Sequence, residues 1–239
     1  MRHYIQEQYI GFLKTLCLHG GLDEMVGWCT NAQAAEDFAQ DVKNYSNGII
    51  SSTVISASNI QHLSDIGTLY TPGPDLSSLA WQRSSVGSAL WSLCGVTHTT
   101  SSARVMDSIV SYLSVPLHPW DALVCTSQAA KDVVKKLLDR QENYLVQSIG
   151  AQNFTRPQLP VIPLGIDCAS LRFTPNQRQE ARAHLAIPEG DMVVLYAGRL
   201  SFHAKAHPLP MYAALQALTD KHQVHIVHFG VFSNTGLEK

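Results

Sequence analysis

The sequence is poor in charged residues, in paired cysteines and in long apolar runs. Only 15% of its 239 residues are charged, and 17 Lys and Arg against 19 Asp and Glu leave a formal net charge of -2. This balance excludes the strongly basic stripe of a protein that coats duplex nucleic acid, so we expect no nucleic-acid partner. Five cysteines, an odd number without Cys-x-x-Cys spacing, favour reduced thiols in a cytosolic protein. No apolar run approaches the ~20 residues that a membrane span requires.

Several catalytic fingerprints are also missing. The sequence has no Walker A loop, no Gly-x-Gly-x-x-Gly fingerprint, no Gly-x-Ser-x-Gly elbow and no His-Glu-x-x-His motif. These absences disfavour nucleoside triphosphatases, dehydrogenases, serine hydrolases and zincins. A hydrophobic content of 45% over this length is enough for one large domain or two small ones.

Strand-like runs alternate with helical ones along most of the chain. The opening residues have apolar positions at helical spacing, and no strand is evident before Gly20. The predicted strands are GIISSTVISAS, GTLYTPGP, SLCGVTHTTSS, WDALVCTS, LPVIPLGID, MVVLYAG and QVHIVHFG. Alternation of this kind predicts an α/β architecture with mostly parallel sheets.

Helix-start signals lie between these strands. Thr30-x-x-Gln33 is typical of a capping box. Asp75 could cap a helix that carries Leu76, Leu79, Ala80 and Arg83, and Ser127 stands where the cap of the helix after WDALVCTS belongs.

The composition changes at residues 169–190, which look polar and loop-like. We therefore predict an N-terminal domain over residues 1–168 and a second domain over residues 169–239. The second domain has two predicted strands and one helix. Two strands are too few for an independent sheet in water, which indicates part of a larger domain.

The segment YAGRLSFHAK could carry chemistry. Gly198 ends a predicted buried strand, Arg199 follows it, and Lys205 precedes a helix that begins near Pro208. Ligands of open α/β sheets lie beyond the carboxyl ends of the strands, where two cations and a helix N-terminus suit a diphosphate. The alternative is a solvated loop with ordinary surface cations.

His98, in GVTHTTSS, is the candidate catalytic residue of the first domain. It lies near the end of a predicted strand, where a histidine can bind a sugar hydroxyl or support charge in the transition state. The alternative is a partly buried histidine with a structural role. For the other histidines we predict no metal site, since His225 and His228 point to opposite faces of one predicted strand.

From Trp120 onward the chain resembles retaining nucleotide-sugar glycosyltransferases of family 4, which have the GT-B fold. The likeness rests on DALVCTSQAAKDVV, VIPLGID and VVLYAGRLSFHAKAHP, in the family's order. It implies a Rossmann-like acceptor domain followed by the first βαβ part of a Rossmann-like donor domain. It also implies that Gly198, Arg199 and Lys205 bind the donor diphosphate, that His98 lies in the cleft, and that no metal is needed.

The resemblance further implies a nucleotide-sugar donor, which is a substrate and not a cofactor, and a sugar or lipid-linked acceptor. The family's acidic pair would lie past Lys239, so we expect a missing C-terminal segment. Two alternatives stay open: a truncated, non-catalytic α/β binding module, and another GT-B enzyme such as a sugar epimerase or a phosphorylase. We expect a cytoplasmic protein. The cationic face of Lys131, Lys135, Lys136 and Arg140 leaves peripheral contact with the inner membrane face open.

Overall fold

The computed structural model describes residues 2–97, 100–166, 168, 171–200, 208–219 and 222–230. The helices in these ranges are α1 Arg2–His19, α2 Ala32–Tyr45, α3 Ser77–Val86, α4 Ala103–Val110, α5 Gln128–Ile149, α6 Pro175–His184 and α7 Pro208–Gln216. The strands are β1 Glu24–Cys29, β2 Ser51–Ser56, β3 Thr68–Tyr70, β4 Ser92–Val96, β5 Ala122–Val124, β6 Met192–Ala197 and β7 Val224–Phe229. Short 3-10 helices cover Ile60–Asp65 and Ser111–Ser114.

The chain divides into two compact units, Met1–Gly165 and Ile166–Lys239. We refer to them as unit 1 and unit 2. All strand pairs among the described residues are parallel, as the alternation of strands and helices predicted. The protein is thus a mixed α/β molecule whose parallel strands are compatible with a Rossmann-like fold. The assignment of residues 1–168 and 169–239 to an acceptor-side and a donor-side domain stays a prediction.

Unit 1 contains two sheets, one with the order β1-β2 and one with the order β3-β4-β5. The larger apolar cluster packs around the second sheet and includes Leu93 of β4, Leu123 of β5 and Leu138 of α5, all fully buried. A smaller cluster joins α1, α2 and β1 through Leu13, Met25 and other buried side chains. Burial of these apolar faces is what holds the layers together.

The start of α5 matches the sequence-based expectation. Ser127 is its N-cap, and the Ser127 hydroxyl accepts a hydrogen bond of 3.1 Å from the Ala130 amide. Val134 and Leu138 of this helix are fully buried, whereas Val133 is 37% exposed.

Three other expectations about helix and strand ends were wrong. Asn31, one residue after Thr30, caps α2 by accepting from the Ala34 amide at 2.9 Å. Asp75 does not cap α3, whose N-cap position is Leu76 without a side-chain bond. Among the described residues of the run LPVIPLGID, only Val161 makes an isolated bridge, to Cys125 directly after β5, and Gln158, just before the run, makes a second bridge to Ala122.

The described residues before Gly20 form the helix α1, and β1, a strand that the sequence did not predict, begins at Glu24. Its sequence, EMVGWC, contains a glycine, which weakens a strand pattern when the sequence is considered alone. A glycine is needed at position 27, because a Cβ there would lie 2.6 Å from the Phe38 ring. Its absence lets Phe38 of α2 pack directly on the backbone of β1.

Unit 2 consists of α6, the β6-β7 sheet and α7. The predicted loop over residues 169–190 was wrong in part, since it contains α6. The signal was present in the sequence: Thr174 and Gln177 form a reciprocal capping box, with Pro175 in the first turn. The prediction that β6 is buried on both faces was also wrong, because Leu195 is 60% exposed.

Candidate functional site

The candidate diphosphate-binding segment begins where β6 ends. The amide of Gly198 donates to the Phe229 carbonyl at 2.9 Å, which extends the β6-β7 pairing by one residue. Gly198 has a φ of 155°, and the half-buried Arg199 follows it. The Tyr196 hydroxyl donates to the Arg199 carbonyl at 3.0 Å, so a side chain of the strand itself holds the backbone of the turn.

Gly198 and Gly230 form a close backbone approach at this sheet edge. An ideal Cβ built on Gly230 would collide with the carbonyl oxygen of Gly198. Only a residue without a Cβ fits there, because the colliding atom belongs to the backbone and cannot rotate away. The two glycines therefore let the chain segments leaving β6 and β7 lie side by side.

An aromatic cluster attaches α7 to the same sheet. Tyr196 and His228 are register partners, with ring centroids 5.9 Å apart in an edge-on arrangement. Tyr212 of α7 stacks on His228, also at 5.9 Å, and its hydroxyl lies 3.4 Å from His228 Nε2. Since His228 lies next to the end of β7, these contacts place the first turns of α7 near the strand ends that precede Arg199.

Of the predicted site residues, Gly198 and Arg199 lie in the described structure at one strand end. His98 and Lys205 lie outside the described residues. The structure therefore brings together the first two residues of the predicted diphosphate group, and the roles of all four stay predictions.

Two threonine side chains contact each other at the strand end that precedes His98. Thr97 is almost fully buried, and its Oγ1 accepts a hydrogen bond of 3.0 Å from the Thr126 amide. The two Oγ1 atoms lie 3.3 Å apart. Because Ser127 caps α5 directly after Thr126, the carboxyl ends of β4 and β5 and the start of α5 form one polar edge in unit 1.

Over 84 residues, which are 33% of this chain, the sequence is 42% identical to a D-inositol 3-phosphate glycosyltransferase of Geodermatophilus obscurus. The match covers 18% of the length of that relative. No protein-family model matches the chain, and no solved structure matches it at a significant level.

Sequence reasoning missed a buried ion pair at the amino ends of β4 and β5. Arg83 of α3 and Asp121, the residue before β5, are both fully buried, and two hydrogen bonds of 2.7 and 2.8 Å join them. The sequence did contain one sign that Arg83 is buried, since it lies three and four residues after Ala80 and Leu79 and therefore on the same apolar face of the helix. A charged residue on an apolar helix face indicates a buried partner, but the sequence alone does not name it.

The thiols near the strand ends do not form thiolates readily. Burial raises the pKa of Cys94. Burial also raises the pKa of Cys125, and the nearby Lys131 opposes this to a smaller extent. All five cysteines are free. Since the thiolate is the nucleophilic form, these two side chains are poor candidates for covalent chemistry.

Within the described part of the chain, no three His, Cys, Asp or Glu residues gather closely enough to hold a metal ion. His225 and His228 belong to opposite faces of β7 by their register, and His225 Nε2 instead lies 2.8 Å from Asp191 Oδ2. No helix among the described residues is long and apolar enough to cross a membrane. On α5, Lys135, Lys136 and Arg140 are exposed.

Proposed function

We propose that this chain forms part of a retaining glycosyltransferase of the GT-B type, which moves a sugar from a nucleotide-diphosphate donor to an acceptor hydroxyl. The observation that carries the proposal is the sequence similarity to a glycosyltransferase over a third of the chain. The position of Gly198 and Arg199 at the carboxyl end of a parallel strand supports it, since ligands of α/β sheets bind at such ends.

In the proposed reaction the bond between the anomeric carbon of the donor sugar and the diphosphate oxygen breaks, and the electron pair leaves with the diphosphate. A new bond forms between that carbon and the acceptor oxygen, whose proton is released. The proposed role of Arg199 is to stabilise the departing diphosphate with its planar set of N–H donors. Lys205 adds a second positive charge, so the step needs no metal ion.

The role proposed for His98 is to bind or electrostatically support the transferred sugar. It rests on the family resemblance and on the polar edge formed by Thr97 and Thr126. The acceptor is a sugar, a lipid-linked sugar or a related polyol. Inositol 3-phosphate is a rational first acceptor to test, because the similar protein is named for it.

The proposal is tested in the complete protein by measuring transfer from radiolabelled nucleotide-sugars. We expect Arg199→Ala and Lys205→Ala each to lower kcat on the order of 10²-fold or more, because each removes charge that stabilises the transition state. Arg178→Ala is the matched control, since this exposed arginine of α6 lies in the same unit and should leave kcat unchanged. Unchanged turnover in both Arg199→Ala and Lys205→Ala would refute the assignment.

A non-catalytic α/β binding module is the second candidate. The observation that favours it is the exposure of the β6-β7 sheet, where Leu195 is 60% and Phe229 is 73% accessible. Calorimetric titration of the chain with UDP-glucose and GDP-mannose separates the two candidates. Heat of binding that Arg199→Ala abolishes supports the transferase, and absence of heat at millimolar concentration supports the module.

A further inference from the structure

Strand β2 has an outer edge that lacks the usual protection against pairing with another chain. Its sequence, SSTVIS, contains no charge, no proline and no glycine. Proteins normally protect a sheet edge with lysine, proline or a bulge, because the free backbone groups of the edge otherwise pair with a further strand. Among the described residues, β2 pairs only with β1. The outer edge of β2 is therefore suited to the addition of a strand.

Two residues in the middle of β2 direct their backbone groups outward. The Ser51 amide donates to the Asp23 carbonyl, on the side of β1. Since hydrogen bonding alternates along a parallel ladder, the odd-numbered residues of β2 bond to β1, whereas Ser52 and Val54 direct their amides and carbonyls away from it. Val54 is also 37% exposed although its side chain is apolar.

One side of helix α2 borders this edge. Glu36, Ala39, Gln40 and Lys43 line one open groove together with Ser52 and other residues around the start of β2. Glu36 and Lys43 are exposed and lie two turns apart on this side of the helix. Within the described part of the chain, neither side chain forms an ion pair. We call Glu36, Ala39 and Lys43 the α2 stripe.

The α2 stripe carries opposite charges at its two ends, so it is complementary to a second copy of itself. When a two-fold axis passes through the middle of the stripe, Glu36 of each copy meets Lys43 of the other. Ala39, between the two charges, has a small side chain that lets the two helices approach closely.

The middle of the α2 stripe lies level with the middle of β2. Phe38 packs on Gly27, and Gly27 is the register partner of Val54. The middle of the stripe is about 2 Å further along the helix. Because a crossover helix runs opposite to the strands that it connects, this is the level of Thr53. A single two-fold axis can therefore pair both the stripes and the strands.

Antiparallel pairing of two β2 strands about Thr53 uses backbone groups that have no partner among the described residues. Ser52 of each copy then exchanges both backbone hydrogen bonds with Val54 of the other copy. Pairing about Val54 would instead need the Ser56 carbonyl, which already accepts from the Asn59 amide at 2.8 Å. The register centred on Thr53 is therefore favoured.

The spacing of the two layers fits the same arrangement. Helix α2 contacts β1 and β2 alike, so its axis lies over the gap between them, about 2.4 Å inside β2. Two β2 strands about 4.8 Å apart then place the two α2 axes about 10 Å apart, which is the ordinary distance between packed helices.

We propose that a second copy of this chain docks on the outer edge of β2 and forms a two-fold symmetric dimer. The two β2 strands pair antiparallel and join the β1-β2 sheets of both copies into one continuous sheet. The two α2 stripes pack above this junction, with Glu36 of each copy paired with Lys43 of the other. This proposal does not depend on glycosyl transfer.

Sedimentation velocity of the whole chain tests the charge pairing. We expect the wild type to dimerise as its concentration rises, and Glu36→Lys and Lys43→Glu each to raise the dissociation constant roughly tenfold or more, because symmetry turns both attractive pairs into repulsive ones. Asp37→Lys is the matched control, since it changes the charge of an exposed α2 residue outside the stripe and should leave the dimer intact. A wild type that stays monomeric up to its solubility limit, or a dimer that both stripe variants leave unchanged, would overturn the proposal.

An equimolar mixture of Glu36→Lys and Lys43→Glu separates an effect on the interface from an effect on folding. In a mixed dimer the two lysines of the first variant face the two carboxylates of the second, so both attractive pairs return. We expect the mixture to dimerise more tightly than either variant alone. If the wild type dimerises and the mixture does not, the proposed pairing is wrong.

Hydrogen exchange locates the contact on β2. The amides of Ser52 and Val54 should exchange roughly tenfold or more slowly at concentrations at which the dimer forms, because they gain hydrogen-bond partners there. The amide of Thr53, which already faces β1, should change little. A dimer in which Ser52 and Val54 exchange as fast as in the monomer would use another surface and would overturn the proposal.

Discussion

The buried pair of Arg83 and Asp121 allows a quantitative prediction about stability. The Asp121 carboxylate accepts four hydrogen bonds, two from Arg83 and one each at 2.8 Å from the amides of Leu93 and His118. Arg83 also donates to the Trp91 carbonyl at 2.7 Å. The pair thereby ties α3 to the starts of β4 and β5.

Arg83→Met removes the cation and leaves the Asp121 carboxylate buried without its partner. Loss of one member of a buried ion pair costs about 3–5 kcal/mol. In a chain of this size, each 1 kcal/mol lowers Tm by roughly 2–4 °C, so we expect a fall of roughly 6–20 °C. The assay is urea and thermal unfolding followed by circular dichroism.

Arg156→Met is the matched control. Arg156 also binds two carboxylate oxygens, of Asp139 and Glu142, but its side chain is 33% exposed. Exposed ion pairs contribute about 0–1 kcal/mol, so the same substitution should have a small effect there. If both variants lose the same stability, within about 1 kcal/mol, the reasoning from burial is refuted.

The double variant Arg83→Met with Asp121→Leu separates charge burial from packing. We expect it to lose less stability than the sum of the two single variants, by about 0.5–3 kcal/mol, because it leaves no uncompensated charge. The Leu93 and His118 amides would still lose their acceptor, so recovery should be incomplete. Strict additivity would indicate that the two side chains do not act as a pair.

Two further predictions concern alkaline stability and the close approach in unit 2. Burial, with a smaller effect from Cys94, raises the pKa of Tyr70 to about 12, so the folded state holds this proton more tightly than the unfolded state. The contribution of protonated Tyr70 to the free energy of unfolding should be fully present below pH 10 and lost as the pH rises from 10 to 12. Tyr70→Phe should reduce this decline in the free energy of unfolding, measured by urea titration at each pH. An unchanged slope against pH would contradict the assignment. Gly230→Ala should destabilise the β6-β7 sheet, whereas Gly190→Ala, with no atom within 4 Å of its Cβ, should be nearly neutral; equal Tm values would exclude the steric clash.

Local signals in the sequence predicted much of the fold because they act over a few residues. Ser127 before a helical apolar pattern located α5, and short apolar runs located β4, β5 and β6. The same local reasoning placed Gly198 and Arg199 at a strand end, where the structure has them. It failed where signals compete locally, as at Gly27 within β1 and at the capping box of Thr174 inside a polar segment.

Residue order and periodicity alone determined that the chain alternates strands and helices, that its strands pair in parallel, and where the candidate Gly198-Arg199 turn follows β6. Only the tertiary structure decided that Arg83 meets Asp121, that Gly230 approaches Gly198, and that α1 contacts both β1 and β3. These contacts join residues far apart in sequence, so no local propensity encodes them. They arise when apolar faces pack within each unit and bring backbone and charged groups that are distant in sequence into contact.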